Sequence, residues 1–264
     1  MKIGSIASSS SGNCIYAGSD TTNILVDCGI SKKRIKEGLN IFGLDLSDID
    51  GILITHEHID HIKGLGVVSR EINVPIYATK ETIYEIKKSK SLGNINNNLF
   101  KSISGEEEFD VGDIRILPIS SNHDASNSVV YTMQDQNDKV ALVTDLGSFD
   151  YNMIEALSGT KALLLEANHD KKMLEVGKYP YELKKRVSSD YGHLSNEQCG
   201  ELIVNIYHSG LEKVFLGHLS DENNFPELAY ATVDLMLREN NIYNVQLEVA
   251  KKCDNSSLWQ CNKI

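Results

Sequence analysis

The chain has 264 residues, of which 41% are hydrophobic and 24% charged, and its mean hydropathy of -0.25 is typical of a soluble globular protein. This length predicts one domain, residues 1–264, with a core of two or more layers. No apolar run is long enough to cross a membrane and the first residues lack a signal-peptide pattern, so we expect a cytoplasmic protein with no membrane partner. The net charge of -11 argues against a broadly basic nucleic-acid-binding surface. The five cysteines are widely spaced without a Cys-x-x-Cys pair, which predicts reduced thiols.

The first predicted strands, residues 2–7 and 13–18, flank the hydroxyl-rich segment Ser8–Asn13. This segment is either a plain hairpin connection or a cradle of hydroxyl and backbone N–H groups for an anionic substrate. In the second interpretation Ser10 and Asn13 are substrate contacts.

A third predicted strand, residues 22–26, ends at Asp27 and Gly29, and an amphipathic helix follows from about Ser31 to Phe42. The next apolar run, Gly51–Ile54, is typical of a buried strand.

The segment Thr55–His61 reads Thr-His-Glu-His-Ile-Asp-His and connects the strand 51–54 to a predicted helix over residues 62–70. Three imidazoles and a carboxylate within six residues are costly to place together unless a cation binds them. Imidazole and carboxylate together are ligands for zinc, manganese or iron. An exposed polar loop is the alternative. The candidate metal ligands in this segment are His56, His58, Asp60 and His61.

Further along the chain the pattern predicts the strands 75–78, 106–111, 114–119, 128–133 and 139–144, the helix 80–88 and a loop over residues 89–98. Strands interspersed with helices, repeated about twice without a fixed period, indicate an α/β protein with two packed sheets covered by helices. The pattern alone does not select one α/β fold over another.

Three more polar residues follow predicted strands and could complete a metal site. His123 follows the strand 114–119, Asp145 ends the apolar run 140–144, and His218 follows the strand 213–217. A single polar residue after a strand is usually a solvated turn residue, so each position is a weak indication by itself.

The pattern His-x-His-x-Asp-His, followed in order by the later histidines and Asp145, resembles the metallo-β-lactamase superfamily. Within it the chain resembles the YycJ (WalJ) type of metallohydrolase, which is related to ribonuclease Z and to cyclic phosphodiesterases. The resemblance implies an αββα sandwich of two mixed sheets flanked by helices. It also implies two divalent ions, zinc or manganese with iron possible, and a brace for the metal loop at Asp27. The implied ligands are His56, His58 and His123 for one ion, Asp60, His61 and His218 for the other, and Asp145 as a bridge.

Glu166 follows the predicted strand 163–165, and His193 precedes a predicted helix that starts after Ser195 and runs to about Tyr207. Their positions resemble a Glu and a Gly-His turn of ribonuclease Z-like phosphodiesterases. A histidine held by a carboxylate is suited to donate a proton to a leaving alkoxide. The predicted catalytic set is therefore Asp60, Glu166 and His193.

The segment 171–186 contains six basic and two acidic residues in an otherwise acidic chain. It is either a solvated helix face or a local phosphate-binding track, in which Lys184, Lys185 and Arg186 contact the substrate. We predict no direct metal contact for the neighbouring His169 or for Asp124.

The sequence and the resemblance together predict a dinuclear-metal phosphodiesterase that acts on nucleic acid, DNA rather than RNA. The YycJ-type resemblance implies a 5′ to 3′ exonuclease on duplex DNA with a role in repair. The alternatives are a phosphodiesterase for small molecules or cyclic nucleotides, which the acidic net charge favours, and a catalytically inactive binding module. Seven retained ligands argue against the binding module, because buried polar groups are costly without a function.

Overall fold

Short apolar and β-branched runs form the strands of the protein, for which a computed structural model describes residues 1–261. The strands are β1 Lys2–Ala7, β2 Cys14–Gly18, β3 Asn23–Val26, β4 Gly51–Leu53, β5 Ile76–Thr79, β6 Phe100–Ile103, β7 Phe109–Val111, β8 Ile114–Ser120, β9 Val129–Gln134, β10 Lys139–Val143, β11 Ala162–Glu166, β12 Lys213–Gly217, β13 Gln246–Val249 and β14 Trp259–Gln260.

The helices begin where the sequence supplies capping residues. Ser31, Thr79 and Ser195 each accept a hydrogen bond from a backbone N–H in the first turn of the helix that follows. The helices are α1 Lys32–Ile41, α2 Ile59–Ile62, α3 Leu65–Ile72, α4 Lys80–Lys88, α5 Tyr151–Leu157, α6 Lys171–Val176, α7 Tyr181–Val187, α8 Asn196–Ile206 and α9 Pro226–Glu239. Short 3₁₀ turns cover Leu46–Asp48, Lys90–Leu92 and Asn97–Leu99.

Within residues 1–261 the strands form two seven-stranded sheets with the orders β14-β1-β2-β3-β4-β5-β6 and β13-β12-β11-β10-β9-β8-β7. In the first sheet β14, β1, β2 and β3 pair in antiparallel fashion, and the pairs from β3 to β6 are parallel. The second sheet repeats this arrangement, antiparallel from β7 to β10 and parallel from β10 to β13. Both sheets are therefore mixed, and each brings the carboxyl ends of its parallel strands to one edge.

Three apolar clusters separate the layers of the protein. The central cluster lies between the sheets and includes Ile24, Leu53, Tyr131 and Phe215. A second cluster joins the first sheet to α1, α3 and α4, and a third joins the second sheet to α5, α8 and α9. The layers are therefore helix, sheet, sheet and helix, which confirms the predicted αββα sandwich.

Some elements differ from the sequence-based prediction. The predicted strand 106–111 is only Phe109–Val111, and the predicted helix 62–70 is divided into α2 and α3. The predicted loop 89–98 contains two 3₁₀ turns, and β6, α5, α9 and β14 were not predicted. No helix in the described part of the chain is long and apolar enough to cross a membrane.

Candidate metal centre

Polar residues from both sheets meet at the carboxyl-terminal edge of the sandwich. The first sheet supplies Asp27 after β3 and the histidine segment Thr55–His61 after β4. The fold places these residues beside the ends of β8, β10, β11 and β12 of the second sheet. The residues brought together in this way are Asp27, His56, His58, Asp60, His61, His123, Asp145, Glu166, His193 and His218.

The histidine segment lies close against the strands that precede it. Asp60 O accepts a hydrogen bond from Asn13 N at 2.8 Å, and His61 O accepts one from Cys28 N at 2.8 Å. A Cβ atom on Gly29 would lie 1.5 Å from Asp60 O, so this approach requires glycine at position 29. These contacts hold the backbone of the segment against the strands.

A buried carboxylate orients two of the imidazoles. Asp27 Oδ2 accepts hydrogen bonds from His61 Nδ1 at 2.7 Å and from Thr55 Oγ1 at 2.9 Å. Thr55 Oγ1 in turn lies 3.0 Å from His56 Nδ1. With each Nδ1 engaged in this way, the Nε2 atom of His56 is left to bind an ion, and Nε2 of His61 faces Asp145 Oδ2 and Asn13 Nδ2. Asp27 therefore braces the metal loop, in the role that the resemblance implied.

His123 and His218 are oriented in the same way from the second sheet. His123 Nδ1 lies 3.1 Å from Gly192 O, and His218 Nδ1 lies 2.7 Å from Glu166 Oε1. His123 Nε2 faces His58 Nδ1 at 3.4 Å. Four imidazoles thus present Nε2, and His58 presents Nδ1, to the same region.

Possible ligand atoms fall into overlapping groups whose members lie within 4.8 Å of one another. One group contains His56, His58 and His123, and another contains Asp60, His61 and His218. Asp145 shares a group with His56 and His61 and another with His218. Its Oδ2 lies 3.1 Å from His61 Nε2, and its Oδ1 lies 3.6 Å from the Nε2 atoms of His123 and His218. Asp145 therefore lies between the two three-ligand groups.

Three buried atoms in this cluster show that the residues suit a cation. His56 Nε2, Asp145 Oδ2 and His218 Nε2 have almost no solvent exposure and no hydrogen-bond partner within the described residues. Buried polar atoms without partners are rare because they lose their hydration without compensation. Lone pairs of two imidazoles and a carboxylate that converge on one region fit a divalent metal ion.

The charges of the cluster lead to the same conclusion. Burial lowers the pKa of His218, but the carboxylates of Asp145, Asp60 and Glu166 outweigh burial and raise that pKa to about 10. Burial raises the pKa of Asp145, yet the His218 and His61 imidazoles hold it well below the usual value. The Asp145 carboxylate thus stays ionised and requires positive charge beside it. A metal ion supplies that charge when it displaces the protons of the neighbouring imidazoles.

Three residues of the centre have left-handed backbone conformations. The φ angles are 62° at Asp27, 57° at Asp145 and 55° at His218. Asp27 and His218 directly follow a strand, and Asp145 is the second residue after one. Left-handed φ is uncommon outside glycine. The backbone strain at these positions turns the side chains toward the centre, as is common at functional sites.

Glu166 is fully buried and serves four donors. Its Oε1 accepts hydrogen bonds from the Nδ1 atoms of His193 and His218, both at 2.7 Å, and its Oε2 accepts from the backbone N–H groups of Leu146 and Leu194. Burial alone would lower the pKa of His193, but Glu166 raises it above the usual value. The structure thus brings Glu166 and His193 together as predicted, and it adds a contact of Glu166 with His218.

A cleft of about 320 Å³ lies in front of His193. Ser10, Asp124 and Arg186 also line it, and Arg186 forms an ion pair with Asp124. Lys184 and Lys185 line a different groove. The predicted phosphate track is therefore divided, since only Arg186 of its three residues faces this cleft.

The two predicted substrate contacts of the serine-rich turn lie in different environments. Ser10 is exposed at the cleft, and its substrate contact stays a prediction. Asn13 is fully buried: its Oδ1 accepts from Ser9 N, and its Nδ2 lies 3.1 Å from His61 Nε2. This burial is inconsistent with a direct substrate contact, so Asn13 positions the turn and the imidazole instead.

Comparison with known proteins assigns this arrangement to a family. The model of the beta-lactamase superfamily domain matches residues 22–218. The chain belongs to the metallo-β-lactamase superfamily. It is similar to the exodeoxyribonuclease YycJ of Bacillus anthracis, with 37% identity over 236 residues that cover 89% of this chain and 88% of the relative. The exodeoxyribonuclease WalJ of Streptococcus pneumoniae is also 37% identical, over 88% of this chain and 87% of the relative.

A solved structure supports the fold of this superfamily member. The metallo-beta-lactamase fold protein YhfI from Bacillus subtilis superimposes with a TM-score of 0.72 and 16% identity, over 98% of this chain and 99% of that protein. The protein is accordingly a metal-dependent hydrolase of the superfamily, and its buried donor cluster contains groups of residues able to hold a divalent metal ion.

Two contacts of this superfamily member were missed by the sequence analysis. Glu57 Oε1 accepts hydrogen bonds from Ser126 N and Ser126 Oγ, both at 2.8 Å, and so ties the histidine segment to the loop that follows His123. Ser8 Oγ accepts a hydrogen bond from His218 N at 2.9 Å. Glu57 lies inside the metal-binding pattern, but nothing in the sequence indicates that its partner is 69 residues away.

Proposed function

We propose that the protein is a dinuclear-metal phosphodiesterase that acts as a 5′ to 3′ exonuclease on duplex DNA, in DNA repair. The observation that carries the proposal is His193, held by Glu166 beside the donor cluster and open to the cleft. The similarity to two exodeoxyribonucleases along most of the chain favours DNA as the substrate.

The two ions are assigned from the donor groups. We place one ion at His56, His58 and His123 and the other at Asp60, His61 and His218, with Asp145 between them. All seven ligands are those that the sequence pattern predicted. Zinc and manganese both suit this set of imidazoles and carboxylates, and iron is a further option. When bound, such a pair supplies an activated water and neutralises charge on the phosphate.

The protein's own residues then handle the substrate and the leaving group. Arg186 borders the cleft and forms an ion pair with Asp124. Its guanidinium can bind a phosphate oxygen if the phosphate displaces Asp124 or binds beside it. Glu166 holds Nδ1 of His193, so Nε2 is the nitrogen that can deliver a proton to the leaving alkoxide. The side chain of His193 is 22% exposed, which gives it access to substrate in the cleft.

A nuclease assay tests this proposal. Duplex and single-stranded DNA and RNA, each labelled at either the 5′ or the 3′ end, are incubated with metal-loaded protein, and a β-lactam and a chromogenic phosphodiester serve as comparison substrates. We expect mononucleotides to be released from the 5′ end of duplex DNA and the β-lactam to remain intact. Cleavage of the chromogenic ester alone would reject the nuclease proposal.

The second candidate is a phosphodiesterase for a small or cyclic nucleotide. The net charge of -11 and the limited volume of the cleft, about 320 Å³, favour it. A higher kcat/KM for cyclic nucleotides than for every nucleic acid in the same assay would support this candidate.

A further inference from the structure

Helix α7 separates two clefts. Leu183, Arg186 and Val187 face the cleft in front of His193, whereas Tyr181, Lys184 and Lys185 face a larger groove of about 720 Å³ on the other side. The two sets have the spacing of opposite helix faces. The end of α7 also joins the metal centre, because Val187 O accepts a hydrogen bond from His193 N at 3.0 Å.

The second groove concentrates positive charge in an acidic protein. Lys171 from the start of α6 faces it together with Lys184 and Lys185, against the two acidic residues Glu175 and Glu201. Lys171 and Lys185 are exposed and free to reach a ligand. Lys184 Nζ donates to Glu175 O, which holds this lysine at the wall of the groove.

A buried histidine also lines the groove. His169 lines the groove with only 2% of its surface exposed, and its Nδ1 has no hydrogen-bond partner within residues 1–261. Burial lowers the pKa of His169 to about 4, so the imidazole is neutral near pH 7. His169 therefore adds no charge to the groove, and Lys171, Lys184 and Lys185 are its positive groups.

We propose that this second groove, lined by Lys171, Lys184, Lys185 and His169, binds a backbone phosphate of the nucleic-acid substrate. This inference rests on the proposed nuclease function. A helix with its side chains is about 10–12 Å wide, and duplex DNA rises about 3.4 Å per nucleotide along each strand. The bound phosphate is therefore a few nucleotides from the bond that is cut in the cleft in front of His193.

A free mononucleotide offers the same phosphate chemistry, but the geometry favours a strand. The groove and the metal cleft are the two sides of one short helix, so a single chain of phosphates can contact both. The exposed ring of Tyr181 at the rim is available to a base.

The test is a length series with charge-matched variants. One variant combines Lys171→Ala, Lys184→Ala and Lys185→Ala. The control combines Lys33→Ala, Lys90→Ala and Lys101→Ala, which are three exposed lysines on α1, on the 3₁₀ turn Lys90–Leu92 and on β6. For each protein kcat/KM is measured on a dinucleotide and on a duplex of twelve base pairs. We expect the ratio of long-substrate to short-substrate kcat/KM to fall about tenfold in the groove variant and to keep its wild-type value in the control.

Binding is measured separately on a phosphorothioate duplex that resists cleavage, by fluorescence anisotropy at several salt concentrations. Loss of the one phosphate contact should reduce the slope of log K against log salt by about 0.9. A variant with Lys184→Arg and Lys185→Arg should keep the wild-type slope if the lysines act through charge. Thermal unfolding of each variant checks that it is folded.

The outcomes distinguish this inference from the proposed function. An unchanged slope and an unchanged length ratio in the groove variant would overturn the second site even if DNA is cleaved. Conversely, a reduced slope in a protein that cleaves no DNA would support phosphate binding in the groove and reject the nuclease proposal. Competition by a mononucleotide at the groove without any effect of strand length would assign the site to a free nucleotide and overturn the backbone contact.

Discussion

Replacement of His193 by alanine isolates the proton donor from the metal centre. The variant loses one of the four donors to Glu166, while the carboxylate keeps His218 Nδ1 and the two backbone N–H groups of Leu146 and Leu194. The ligands should therefore stay oriented and metal content should stay at the wild-type level. Because the side chain of His193 is partly exposed, its truncation should also leave the fold stable.

The expected loss follows from the role of His193 as an acid. General acid catalysis by a positioned side chain contributes about 10²- to 10⁴-fold, equivalent to about 3–5 kcal/mol of barrier. On a DNA oligonucleotide, whose alkoxide leaving group needs a proton, kcat of the His193→Ala variant should fall by this factor. On a nitrophenyl phosphodiester, whose leaving group needs no proton, the loss should be much smaller.

The assay compares kcat on both substrates with metal content from elemental analysis. Glu166→Gln is the informative comparison, because it disturbs His193 and His218 together and should lower metal content as well as kcat. Equal defects of His193→Ala on the two substrates, or a loss of metal, would refute the assignment of His193 as the acid.

Three further predictions concern the metal centre. Asparagine tolerates the left-handed backbone at position 145, so Asp145→Asn should lower metal content and abolish most activity without unfolding the protein. Full metal content with wild-type turnover would show that Asp145 is not a ligand. Removal of metal by a chelator should lower the melting temperature by about 5–10 °C, since an ion at 100 times its Kd stabilises by about 2.7 kcal/mol, and calorimetry with and without added metal measures the difference. Glu57→Ala should weaken metal affinity about 10- to 100-fold by releasing Ser126 and the loop after His123, and Glu57→Gln should retain part of the affinity. An unchanged affinity of Glu57→Ala in a chelator competition would contradict the positioning role of Glu57.

The candidate metal ligands could be found in the sequence because they follow recognisable strands. The pattern at His56–His61 is local, and His123, Asp145 and His218 each follow a run with strand periodicity. Carboxyl ends of parallel strands meet at one edge of a sheet, so these positions converge once the fold is known. The second contact of Glu166, to His218, depends on the distance between two neighbouring strands, which periodicity does not determine.

The division of the basic segment could not be predicted for a different reason. Helical spacing places Lys184 and Lys185 on the face opposite Leu183 and Val187, but only the rotation of α7 about its axis decides which face meets the metal cleft. Packing against the rest of the protein sets that rotation. The edge strands β6 and β14 were missed because their partly exposed sequences lack a continuous apolar run.

The pairing of β14 with β1 has a consequence for how the protein folds. Lys2 and Ile3 pair with Gln260 and Trp259, so β1 pairs with a strand that is far from it in the sequence. Contacts between such distant residues slow folding, and an unpaired edge strand invites aggregation. Ser8, the residue after β1, holds the backbone of His218, so the candidate metal centre also depends on contacts between distant residues. Slow refolding and a requirement for low protein concentration are therefore expected when the denatured protein is diluted into buffer.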